Sequence, residues 1–105
     1  MRLLICFSLT LLALPVPSTA ANILVRMEGA DYGPSRIEAR VGDRLVFMND
    51  DTMDHDVFVP TAGHGLDLGK QAPGETTAVT LGKAGRFEVE CVFHPDMLLT
   101  VDVKP

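Results

Sequence analysis

Three residues able to bind a soft metal fall within one short run of this chain, Cys91-Val92-Phe93-His94-Pro95-Asp96-Met97. A thiolate and a thioether are soft donors and imidazole is intermediate. Together they suit copper, which cycles between a softer and a harder oxidation state. A calcium or magnesium site would need oxygen ligands. A structural zinc site would show more cysteines and no methionine. Phe87, Val89 and Cys91 repeat at period two, so Cys91 is expected to end a strand with its side chain inward. Pro95 cannot donate a ladder hydrogen bond, so the chain must turn there. A tight loop can fold His94 and Met97 back towards the sulfur of Cys91.

Copper sites that pass single electrons use two histidines, one cysteine and a weak axial methionine. The run therefore lacks one histidine. His55, in Met53-Asp54-His55-Asp56-Val57, opens an apolar strand; His64, in Ala62-Gly63-His64-Gly65, lies between glycines. A strand end holds a ligand rigidly through redox change, which selects His55. His64 reads as a solvated loop histidine.

The elements that must position these residues are strands. Ile23 to Met27 forms the first, and Gly29 to Pro34 is a loop. Ile37, Ala39 and Val41 alternate with Glu38 and Arg40, and Leu45 to Met48 is more continuously apolar. Val57 to Val59 ends at Pro60. Thr61 to Gly74 reads as a loose segment, with a short helix or irregular turn between Gly63 and Gln71. Thr77, Val79 and Leu81 alternate, as do Phe87, Val89 and Cys91, and Leu99, Val101 and Val103 make the last strand. Short strands with Gly and Pro turns predict an all-β chain, an antiparallel β-sandwich or barrel.

On its site motif the chain resembles the cupredoxins, the blue-copper electron carriers of the plastocyanin kind, and most of all the amicyanin branch. That branch has the same C-x2-H-P-x-M spacing and a Met-x-His step before an apolar strand, here Met53-Asp54-His55. The similarity runs from about Val41 to Val103. It implies a Greek-key β-sandwich with one copper ion at one end, held by His55, Cys91, His94 and Met97. Where the family has asparagine after the first histidine, this chain has Asp56. Where the amicyanin type has proline before the second, it has Phe93. A metalloenzyme is an alternative that the sequence does not favour, since it has no His-Glu-x-x-His and no G-x-S-x-G motif, and the resemblance implies an electron carrier. His94 is then the gate, with Phe93, Pro95 and Met53 forming an apolar docking surface. The acidic cluster of Asp50, Asp51, Asp54 and Asp56 is read either as solvated loop or as a rim for a basic redox partner, such as a cytochrome or dehydrogenase.

The chain has 105 residues, enough for one domain. Arg2, the apolar run Leu3 to Leu14, then Pro15, Pro17 and Ser18-Thr19-Ala20 follow the order of a secretory signal peptide. The run is too short for a bilayer span, which takes roughly 20 residues. Residues 1–20 are thus expected to be a leader, cleaved after Ala20 or alternatively Ala21, and 21–105 the copper domain. The product would be a periplasmic monomer with no membrane span. Of the two cysteines, Cys6 leaves with the leader. A lone thiol in an oxidising compartment is a liability unless a metal occupies it. Acidic residues number 14 against 9 basic, which disfavours a nucleic-acid partner. A copper carrier using Met48, Met53 or His64 as transfer sites is the alternative function. A metal-free β-sandwich interaction module is a third.

Overall fold

The computed structural model describes residues 2–14 and 19–105. Pro15, Pro17 and Ser18 of the expected leader lie outside the described residues. Residues 2–14 form no strand or helix, and Leu3, Leu4, Phe7 and Leu11 are exposed. Among the described residues no helix is long and apolar enough to cross a membrane.

Nine strands follow: β1 Asn22–Glu28, β2 Asp31–Gly33, β3 Arg36–Arg40, β4 Arg44–Asn49, β5 His55–Val59, β6 Leu66–Gln71, β7 Thr76–Thr80, β8 Gly85–Cys91 and β9 His94–Lys104. They form two sheets, in the orders β2-β1-β4-β7 and β3-β9-β8-β5-β6. The inward residues of each alternating strand meet between the sheets. Val25 and Met27 of β1 and Leu45 and Phe47 of β4 face Val57, Phe87, Val89, Leu99 and Val101 of the other sheet, all buried. That is the period-two pattern of a half-buried strand realised on both sides of one core.

The expected all-β sandwich is the one observed, and four details of it need correction. The sheets are mixed and not purely antiparallel: β1 runs parallel to β4, and β3 parallel to β9. The segment between Gly63 and Gln71 holds no helix; it contains β6, the edge strand beside β5. The loop from Gly29 to Pro34 contains β2, which pairs with β1 and buries Tyr32. The Tyr32 hydroxyl donates to the Glu90 carbonyl at 2.9 Å, so β2 also ties the two sheets together beside Cys91. Val41 lies past the end of β3 and is exposed.

Outside the second sheet, Asp102 of β9 accepts from Arg86 of β8 at 2.7 Å and from Arg36 of β3 at 3.0 Å. The hydrogen bond from Arg86, then the two guanidinium charges, outweigh desolvation and hold the Asp102 carboxyl below its ordinary value. A carboxyl whose pKa is lower folded than unfolded adds stability above its unfolded value, about 3.9. That stability is lost as pH falls through the folded value. Asp102→Asn is therefore expected to be less stable than wild type at pH 7, with the gap closing below about pH 4. Urea melts across that range check it; a gap that persists or widens in acid contradicts it.

Candidate metal centre

The topology brings the ends of three strands to one place. β5 and β8 are antiparallel neighbours with Val57 opposite Cys91. His55, two residues before Val57, points to the same face. It therefore stands beside the C-terminal end of β8, where Cys91 sits. β8 and β9 are joined by a two-residue turn, Val92-Phe93, which sets His94 opposite Cys91. The register then jumps, for Glu90 pairs with Leu98. Pro95, Asp96 and Met97 are the extra residues of that bulge, as a proline in mid-ladder demands. From Leu98 the strand is regular again, and Met97 and Leu99 on either side of it are both fully buried.

His55, Cys91 and His94 each offer one ligand atom, and these lie within 4.8 Å of one another. Nδ1 of His55 and Nδ1 of His94 are each 3.7 Å from Cys91 Sγ. The two rings are 4.9 Å apart between centroids. Metal bonds of about 2.0 Å to nitrogen and about 2.3 Å to sulfur span such a gap with a wide bond angle, as a roughly planar two-nitrogen, one-sulfur set requires. The residues thus fit a copper ion, with the Met97 thioether buried in the same element as His94. His55 is wholly buried and Cys91 nearly so, whereas His94 is only partly buried. Around His94 lie the exposed Val92, Phe93, Pro95 and Leu98, while Met53, in the loop before His55, is also exposed. His64 is far from this constellation in the fold and stacks on Phe87.

One functional contact was not read from the sequence. His55 Nε2 lies 2.6 Å from Asp51 Oδ2. A carboxylate can only accept, so Nε2 carries the proton and Nδ1 presents its lone pair towards Sγ. Asp51 is fixed in turn by the amides of Gly29, at 2.6 Å, and Ala30, at 3.0 Å. Burial alone would raise the Asp51 carboxyl; the bonds from Ala30, His55 and Gly29 outweigh it and hold it low. Such an outer carboxylate fixes ring orientation and tautomer at a metal site. An acidic residue one helical turn or one tight loop before a ligand histidine is the signal that could have revealed it.

The acidic cluster is accordingly not one feature. Asp50 pairs with Arg26 at 2.9 Å and Asp54 with Lys70 at 3.6 Å, and Asp51 faces inward. Asp56 keeps the tie between the ligand strands through its main chain: its N–H donates to Cys91 Sγ at 3.3 Å. Its side chain turns aside to Asp67. Desolvation, then the neighbouring Asp67 carboxyl, push the Asp56 carboxyl up.

No family model matches the chain. It is similar to the methylamine utilization protein MauL of Methylorubrum extorquens, 30% identical over 101 residues, covering 94% of this chain and 86% of that protein. It is 32% identical over 92 residues to the chloroplastic plastocyanin of Fritillaria agrestis, a match spanning 73% of this chain and 55% of that protein. Among solved structures, the reduced state of an amicyanin variant superposes with a TM-score of 0.73 at 26% identity, over 78% of this chain and 81% of that one. The Cu(I) form of another amicyanin variant does so with a TM-score of 0.74 at 24% identity, over 85% and 86%, a likeness of fold.

Proposed function

This chain belongs to the cupredoxins, of the amicyanin- and plastocyanin-like type, and on that premise we propose that it carries single electrons between redox proteins of the periplasm, with copper held by His55, Cys91, His94 and Met97. The observation that carries the reading is the convergence of two imidazole nitrogens on one buried thiol, each at 3.7 Å. Copper, one ion, supplies the one-electron couple when bound.

The chain's own residues do the rest. Asp51 locks the His55 ring from behind. The Asp56 amide donates to the sulfur and stabilises its thiolate form. The paired strands β5, β8 and β9 hold the donors in place, so little rearranges when the charge changes. His94 alone among the three is partly exposed, which makes its ring the route to a partner. Phe93, Pro95 and Met53, with Val92 and Leu98, form the apolar contact surface. Those side chains are suited to brief docking, since a small apolar patch with few charges gives contact without a strong hold. A redox partner that meets this surface need not be basic, because Asp50 and Asp54 are already paired with Arg26 and Lys70.

Burial of His55, Cys91 and Met97 also favours electron transfer over copper delivery, as ligands sealed in a core exchange metal slowly. The exposed apolar run Leu3 to Leu14, which packs on nothing in the sandwich, supports its reading as an export leader. Addition of Cu(II) to the purified protein is expected to give an intense visible absorption that Cys91→Ser abolishes while leaving the far-ultraviolet circular dichroism unchanged. A colourless wild type, or a coloured Cys91→Ser, would refute the assignment.

A further inference from the structure

Protein interiors are close-packed, with few voids larger than a water molecule. This sandwich departs from that at the side away from the metal centre. There Leu66 at the start of β6 and Val79 and Thr80 at the end of β7, on edge strands of opposite sheets, line a common gap. Between them opens a partly enclosed cavity of about 230 Å³. An apolar cavity of roughly 150 Å³ is large enough to take up benzene. The walls are apolar, with Val59 and Leu66 on one sheet, Val79 on the other and Phe87 at the back.

The mouth is different in chemistry. Its two nitrogen-bearing side chains are His64 and Lys83. Each is seated against a glycine that no other residue would replace easily. A Cβ at Gly63, where φ is +81°, would lie 2.9 Å from Lys83 Nζ; one at Gly85, where φ is +131°, would lie 2.9 Å from His64 Nε2. The His64 ring stacks on Phe87, with centroids 5.3 Å apart, and Lys83 Nζ reaches the Gly63 carbonyl at 3.3 Å. Neither side chain has a carboxylate partner among the described residues. No Asp or Glu lines the cavity, although the chain has 14 of them. An apolar pocket whose only fixed charge is one ammonium at its rim is complementary to an apolar tail ending in one negative charge.

We infer that this cavity binds a small amphipathic carboxylate, with its hydrocarbon part between the sheets and its carboxylate on Lys83 beside His64. This site is separate from the electron-transfer reading and does not depend on it.

Titration calorimetry of the copper-loaded protein with octanoate tests the assignment, with 1-octanol as the uncharged probe. Saturable one-to-one octanoate binding is expected. Lys83→Ala should weaken octanoate at least tenfold and octanol less than twofold. Val79→Phe, which fills the space from one sheet, should abolish binding of both; Leu66→Phe does the same from the other sheet if the first variant does not fold. Nuclear magnetic resonance of the wild type with octanoate should move the signals of His64 and Phe87. Absence of saturable binding at millimolar octanoate overturns the inference. So does an affinity indifferent to Lys83→Ala, or shifts confined to Phe93 and Leu98 at the other end of the fold.

Discussion

Asp51→Ala is expected to destabilise the metal-free protein by about 3 kcal/mol and to weaken copper binding tenfold to a hundredfold. The first figure follows from what the carboxylate satisfies. His55 Nε2 is fully buried and has Asp51 as its partner at 2.6 Å. The amides of Gly29 and Ala30 lose their acceptor as well. A buried donor left bare costs about 1–3 kcal/mol. Water can reach the exposed Gly29 amide, so the imidazole and the Ala30 amide dominate. Against a total stability of about 5–15 kcal/mol for a small domain, this is a large share. The second figure is the usual effect of removing the outer partner of a ligand histidine. Without Asp51 the imidazole is free to choose its tautomer, and Nδ1 no longer presents a lone pair to the metal by default. Urea denaturation measures the first effect and competition with a copper chelator the second. A stability loss below about 1 kcal/mol, less than one bare buried donor should cost, would show that Asp51 is an ordinary loop acid.

That residue also marks the limit of what the sequence reveals here. Cys91, His94 and Met97 were readable as candidate ligands because one short loop carries all three, and their types restrict the metal. His55 was readable because the strand it opens is apolar and the donor set lacked one histidine. Asp51 was not readable as more than one acid among several. Its role depends on the amides of Gly29 and Ala30, more than 20 positions earlier. β3, β7, β8 and β9 were visible because each alternates apolar and polar residues over a core, and β1, β4 and β5 because each holds a short continuous apolar run. β6 was not, because Gly69 and a register shift opposite Asp56 and Phe58 interrupt its alternation. β2 was missed because three residues bury a single side chain, Tyr32. The parallel pairings of β1 with β4 and β3 with β9 leave no local trace. A strand's pattern shows which face is inward, while the direction of its neighbour is set by how the chain crosses between sheets.

Asn49→Ala should cost about as much as Asp51→Ala, and the two losses should not add. Asn49 is fully buried at the end of β4. Its amide donates to the carbonyls of Met53 and Gln71, both at 2.9 Å, and its oxygen accepts from the Asp51 amide at 3.0 Å. Gln71, equally buried, donates to Phe47 and Glu75. These two amides bind the connection between β4 and β5 to the connection between β6 and β7, through bonds of which those to Gln71 and Phe47 are fully buried. Alanine at 49 strands two carbonyls and one amide, for a loss of about 3 kcal/mol at roughly 1 kcal/mol each. Asn49→Asp should fare no better, since an ionised carboxylate cannot donate to either carbonyl. The link to the candidate metal centre runs through the main chain of Asp51: Asn49 sets where that residue begins, and Asp51 sets where the His55 ring points. Once either is gone the other has less left to hold. The double variant should therefore fall short of the sum of the singles by about 1 kcal/mol or more, a coupling expected of residues in one hydrogen-bond network. Urea melts of the wild type, both singles and the double close the cycle. Additivity within about 0.3 kcal/mol, as for independent sites, would mean that Asn49 merely fastens a loop and that Asp51 orients His55 unaided.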